Sequence, residues 1–118
     1  MRKELQGVEE FEEAVGEEIR LSYELDLPLY ALSVLLPDDP DGELTQRLLD
    51  EIRMMDMATA VSPGELAIVL PNTSSDGGHL VASRLLAAVP GSELGEAVYA
   101  PGDTPDTLLG RAREDLSR

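Results

Sequence analysis

The residues Leu29-Tyr30-Ala31-Leu32-Ser33-Val34-Leu35-Leu36 form an almost unbroken apolar run, closed by Pro28 on one side and Pro37 on the other. A run this short, stopped by proline at both ends, reads as a strand and not as a helix. Because both of its alternating faces are apolar, it is a strand buried on both faces, and the rest of the chain has to be arranged around it. The 118 residues leave room for one domain with one modest core, burying roughly two thirds of the unfolded surface. Aromatic residues make up only 3%, so that core is aliphatic, with a single Phe11 and three tyrosines.

On either side of the run the periodicity is helical or alternating in turn. Val8, Phe11, Val15 and Ile19 recur at helical spacing with Glu9, Glu10, Glu12, Glu13, Glu17 and Glu18 between them, which predicts an amphipathic N-terminal helix within residues 1–27. Residues 28–118 are expected to form the compact domain. After the turn residues Pro37 to Gly42, the positions Leu44, Leu48, Ile52 and Met55 predict a second helix. Ala58 to Val61 and Leu66 to Leu70 predict a hairpin closed by Ser62-Pro63-Gly64, and Pro71 to Ser75 ends it. Val81, Leu85, Ala88 and Val89 predict a third helix, Leu94 to Tyr99 a last strand, and Thr104-Pro105 the start of a helix carrying Leu108, Ala112 and Leu116. The order is α-β-α-β-β-α-β-α. Inside the flanking helices lies βαββαβ, an α+β split-βαβ fold whose right-handed crossovers place both middle helices on one face of a four-stranded antiparallel sheet.

Charge and motifs exclude several functions. Nine basic and 24 acidic residues give a net charge of −15, which repels phosphate backbones, so no nucleic-acid partner is expected. There is no cysteine for a disulfide, a thiolate nucleophile or a cysteine zinc site. No segment approaches the roughly 20 apolar residues of a membrane span, so the chain is expected to be soluble and cytoplasmic, with no membrane partner. His79 is the one histidine and no Gly-x-Ser-x-Gly elbow accompanies it; it reads as an exposed histidine in the first turn of its helix. Asp38, Asp39, Asp41 and Glu43 cluster like a calcium loop, but Pro37 stands at the first ligand position and Leu48 at the closing one, so the cluster reads as an acidic surface turn. Neither a Gly-x-x-x-x-Gly-Lys-Ser/Thr loop nor a Gly-x-Gly-x-x-Gly turn is present.

The stretch Asp56 to Thr73 is the informative one. It resembles the central hairpin of GGDEF domains, the diguanylate cyclase family, in which an Asp ends a helix, the Gly-Gly-Asp/Glu-Glu-Phe turn follows, and the next strand ends in Leu-Pro. Ser62-Pro63-Gly64-Glu65-Leu66 stands at the signature. Phe11 to Pro28 is similar to the family's opening helix, Leu94 to Tyr99 to its Ser-Ile-Gly-Val-Ala strand, and Thr104 to Leu116 to its closing helix, with Ala112 in the usual place. The resemblance covers most of the chain and implies the same βαββαβ core.

In the family two carboxylates, one after the first strand and one at the third signature position, hold the metal ions that activate the attacking hydroxyl. Here the third position is Gly64, the first carboxylate falls near Leu35 or Pro37, and Ser62 and Pro63 replace the paired glycines. The segment between first strand and hairpin is shorter than the family's. The resemblance thus implies a degenerate domain that is not an enzyme, with no catalytic residue, no metal ligand and no cofactor assigned. It also implies a ligand site, because Arg53-Met54-Met55-Asp56 matches the family's Arg-x-x-Asp allosteric motif and Arg84 its helper arginine. An arginine fork can donate to guanine O6 and N7, and an aspartate can accept from N1 and N2. The expected function is an inactive regulatory module of cyclic-dinucleotide signalling that receives cyclic di-GMP through Arg53, Asp56 and Arg84 and reports it to a protein partner or by self-association. The alternatives are a ligand-free interaction or dimerisation module, and a residual cyclase or nucleotide hydrolase working around Asp38, Asp39 and Glu65.

Overall fold

The computed structural model describes residues 2–116. In chain order its elements are α1 (Val8–Leu25), β1 (Leu29–Leu35), α2 (Glu43–Leu49), β2 (Met57–Ser62), β3 (Glu65–Pro71), α3 (Ser75–Ala88), β4 (Glu93–Val98) and α4 (Pro105–Leu116). The apolar run is the centre of the molecule: β1 pairs antiparallel with β3 on one side and β4 on the other, and β2 completes the sheet in the order β2-β3-β1-β4. This is the split-βαβ arrangement that the sequence predicts.

Strand alternation then divides the core. Tyr30, Leu32 and Val34 point towards α2 and α3, where Leu48, Leu49 and Leu85 meet them. Leu29 and Ala31 point the other way, towards Phe11 and Val15 of α1 and Leu108 and Ala112 of α4. Two glycines let these layers close. Gly78 of α3 lies against the Tyr30 ring, where a Cβ would come within 2.4 Å of ring carbons, and Gly95 of β4 lies directly under the α4 backbone. Both outer strands are partly covered. Gln6 forms a parallel bridge to Thr59 beside β2, and the Asp115 carboxylate accepts the Glu96 N–H of β4 at 2.9 Å. Among the described residues no helix is long and apolar enough to cross a membrane.

The second helix is shorter than its periodicity predicts. It ends at Leu49, and Glu51 and Ile52 make i−3 bonds to Leu48 and Leu49. Ile52 is buried as expected but Met55 is exposed. The cause is local competition: the Asp56 carboxylate captures the Arg53 N–H at 2.7 Å, and a side chain that offers the backbone another partner unwinds the helix there. The hairpin closes on Pro63, whose φ is fixed by its ring, and on Gly64 at φ +78°. The register shifts between Ala60 and Ser62, marking a bulge.

Candidate functional site

Arg53 and Asp56 lie in the turn between α2 and β2, not on a helix, and Arg84 projects from α3. The three line one concavity of about 390 Å³, together with Asn72, Thr73, Ser74, Gly77, Leu80 and Val81. The α3 side of this cavity exists because β3 ends at Pro71. Asn72 then takes a left-handed conformation at φ +49°, and Ser74 caps α3 by accepting the Gly77 N–H.

Arg53 and Asp56 are joined to each other. The Arg53 Nη2 donates to Asp56 Oδ1 at 2.8 Å, its Nε sits 3.2 Å from both carboxylate oxygens, and Nη2 also donates to the Pro71 carbonyl and the Thr73 hydroxyl. The Asp56 side chain is 2% exposed and that of Arg53 48%. The carboxylate is therefore an internal anchor that fixes the guanidinium across the mouth of the turn. Arg84 is held more loosely, donating Nη2 to the Glu51 carbonyl at 2.8 Å with Nε 3.8 Å from the Glu51 carboxylate.

The second set of carboxylates is dispersed. Asp39 spends its side chain on α2, accepting the Leu44 and Thr45 N–H groups at 2.9 and 3.0 Å and the Thr45 hydroxyl at 2.8 Å. Asp38 is exposed. Glu65 turns to the opposite face of the sheet, where it accepts from Ser62 Oγ at 3.0 Å and pairs with Arg113 Nε at 3.0 Å. Asp38 and Asp39 border a concavity with Pro63 and Gly64, whereas Glu65 borders another between α1 and α4. Among the described residues no group of three or more His, Asp or Glu side chains is placed to hold a metal ion. Dispersed in this way, the donors do not fit a metal pair.

Burial by itself would raise the Asp39 pKa, but the hydrogen bonds from Leu44, Thr45 and Glu43 outweigh it and hold the carboxyl below its ordinary 3.8. A depressed carboxyl stabilises the fold fully above its unfolded-state value and loses that contribution as pH falls through the folded-state value. Asp39→Ala is accordingly expected to cost about 1 kcal/mol at neutral pH. In urea titrations its deficit against the parent chain should shrink on acidification below about pH 4; a deficit constant with pH would remove Asp39 from this role.

His79 is exposed as expected but is not in the first turn of its helix. It lies in the second turn of α3, with Nδ1 2.8 Å from Glu96 Oε1 and 3.3 Å from the Tyr30 hydroxyl, and Tyr30 donates to the same carboxylate. Burial first, and then the Glu96 carboxylate, push the Tyr30 phenol well above its ordinary pKa. This trio ties α3 to β4. Its sequence signal was Glu96, a carboxylate standing at an inward position of β4. Arg113, the partner of Glu65, and Asn72, Thr73 and Leu80 around the Arg53 cavity were not singled out by sequence. A cation in the last turn of α4 was the available cue for Arg113.

Comparisons with known proteins bear on the whole arrangement. No protein-family model and no curated protein matches the chain. Solved structures do. The GGDEF domain of TpbB from Pseudomonas aeruginosa superposes with a TM-score of 0.82 at 19% identity, over 99% of this chain and 87% of that one. The active GGEEF domain of a diguanylate cyclase from Vibrio cholerae gives 0.84 at 15%, over 97% and 90%. The coiled coil and GGDEF domain of DgcB from Caulobacter crescentus, in complex with c-di-GMP, gives 0.74 at 13%, over 96% and 75%. The chain has the GGDEF-domain fold. These neighbours also correct the expectation that the chain is not an enzyme. The fold it shares with an active cyclase domain does not set it apart from the enzymes, and the replaced signature by itself does not establish inactivity.

Proposed function

We propose that this chain is a cytoplasmic regulatory module of cyclic-dinucleotide signalling that binds cyclic di-GMP in the concavity of Arg53, Asp56 and Arg84. The observation that carries the reading is the convergence of two cationic side chains from separate elements on one cavity, in a chain whose net charge is −15. Local field, more than total charge, governs capture of a dianion. The cavity size suits a small ligand, and the superposable DgcB domain is bound to the dinucleotide. Occupancy would be read out by a protein partner or by self-association, for which α1 presents the exposed Glu9, Glu10, Glu12, Glu13 and Glu17.

Calorimetric titration with cyclic di-GMP tests the reading, with GTP and magnesium run alongside. Micromolar binding is expected, weakened at least about tenfold in Arg84→Ala, a fall of about 1.4 kcal/mol or more. Arg84 is the informative substitution because its side chain is half exposed and among the described residues pairs only with Glu51, so removing it costs the fold little. No heat from cyclic di-GMP would sink the proposal.

A further inference from the structure

We infer that the cleft between α1 and α4 is a separate binding site, for a small amphipathic ammonium compound that carries a hydroxyl at the end away from its charge. Strand register explains why a cleft exists there. Ser33 of β1 stands between Ala67 of β3 and Gly95 of β4, and Ala67 is paired in turn with Thr59 of β2. One row of small residues thus crosses the sheet on the face that α1 and α4 cover. α4 settles onto Gly95, with the Ala112 carbonyl where a Cβ would stand, and α1 packs over β2. Between the two helices Ser33 and Ala67 are too short to fill the space, and a cavity of about 250 Å³ remains. It shares no lining residue with the Arg53 cavity.

The floor of this cleft holds an unspent polar group. Ser33 is 6% exposed, and its hydroxyl has no hydrogen-bond partner among the described residues. Thr59, in the same row, already donates its hydroxyl to the Gln6 carbonyl at 2.8 Å. A buried hydroxyl is costly to leave unpaired, and Ser33 can both donate to and accept from a hydroxyl brought in by a ligand. Phe11 and Leu109 supply apolar walls around it. The mouth sets the sign of the charge. Glu12 and Asp106 are exposed there, and among the described residues neither forms an ion pair. The one basic residue lining the cleft, Arg113, is matched by Glu65, with Nε 3.0 Å from the carboxylate. That pair cancels, two carboxylates remain, and the local field draws a cation and repels an anion. The volume lies below the roughly 300–1,000 Å³ of sites for drug-sized ligands, so the apolar body is limited to one ring or a short aliphatic chain.

Amide chemical shifts of the nitrogen-15-labelled chain test the assignment, with three probes that differ by one group: tyramine, phenethylamine and 3-(4-hydroxyphenyl)propionate. Tyramine is expected to give saturable shifts at Ser33, Ala67 and Gly110 with a dissociation constant of about 1 mM, in the range open to so small a ligand. Phenethylamine, which lacks the hydroxyl, should bind about threefold more weakly, and Ser33→Ala should remove that difference. The propionate, which exchanges the ammonium for a carboxylate, should not saturate at the same concentrations. The double substitution Glu12→Gln, Asp106→Asn should weaken tyramine about threefold, as exposed charges do. Both residues are exposed, so this variant keeps the test valid even where Ser33→Ala folds poorly. Shifts that do not saturate at these residues, propionate binding as tight as that of tyramine, or a tyramine affinity unchanged in both variants would overturn the assignment.

Discussion

Gly95→Ala is expected to destabilise the fold by about 3 kcal/mol or more, at the upper end of what overpacking costs. A Cβ at this position would lie 2.1 Å from the Ala112 carbonyl oxygen and 2.7 Å from the Leu116 nitrogen. Both are backbone atoms of α4, so no rotamer change relieves the contact. α4 cannot retreat without dragging out Leu108 and Ala112, which are fully buried against β1 and α1. The glycine is thus required for space. Gly110 supplies the contrast, since a Cβ there meets nothing within 4 Å. Gly110→Ala should raise stability by up to about 1 kcal/mol through helix propensity alone. Urea unfolding of both variants checks the pair; a Gly95→Ala midpoint matching that of the parent would show that α4 does not seat on β4 as described.

The same glycines show where sequence reading stops. The central strand was legible because burial on both faces leaves a run with no polar alternation, and proline at each end fixes its length. The hairpin was legible because Pro63 and Gly64 meet the conformational demands of a tight turn. What a glycine's missing side chain makes room for is a property of another element: nothing near Gly95 in sequence announces Ala112 and Leu116. The end of α2 was hidden for a related reason. Ile52 keeps the helical period and is buried, yet the chain has already left the helix, because Asp56 takes the Arg53 N–H. Arg53, Asp56 and Arg84 were implied by the family resemblance, and the structure gathers them at one cavity. Their states were not legible, since i,i+3 on a helix predicts a side-by-side pair on a surface, and the turn instead buries the carboxylate and leaves the guanidinium half exposed.

That inversion makes Arg53→Ala the more consequential substitution at the site. It is expected to cost about 3 kcal/mol of stability, because removing one partner of a buried pair strands the other charge. Among the described residues Asp56 would keep only the backbone N–H of residue 53, at 2.7 Å, with Lys3 nearby but donating its Nζ to the Met54 carbonyl at 2.9 Å. The guanidinium also bridges to the Pro71 carbonyl and the Thr73 hydroxyl, so its loss loosens the corner that leads into α3 and with it one wall of the cavity. Arg53→Lys should recover part of the deficit, since an ammonium keeps the charge but cannot reach the carboxylate and the corner together. Asp56→Ala should cost less than Arg53→Ala, because the half-exposed guanidinium it releases can turn to water. Urea unfolding of the three variants gives the ordering directly. Equal, sub-kilocalorie losses for all three would place the pair among ordinary surface ion pairs, worth about 0–1 kcal/mol, and would take away the anchored arginine on which the geometry of the cavity depends.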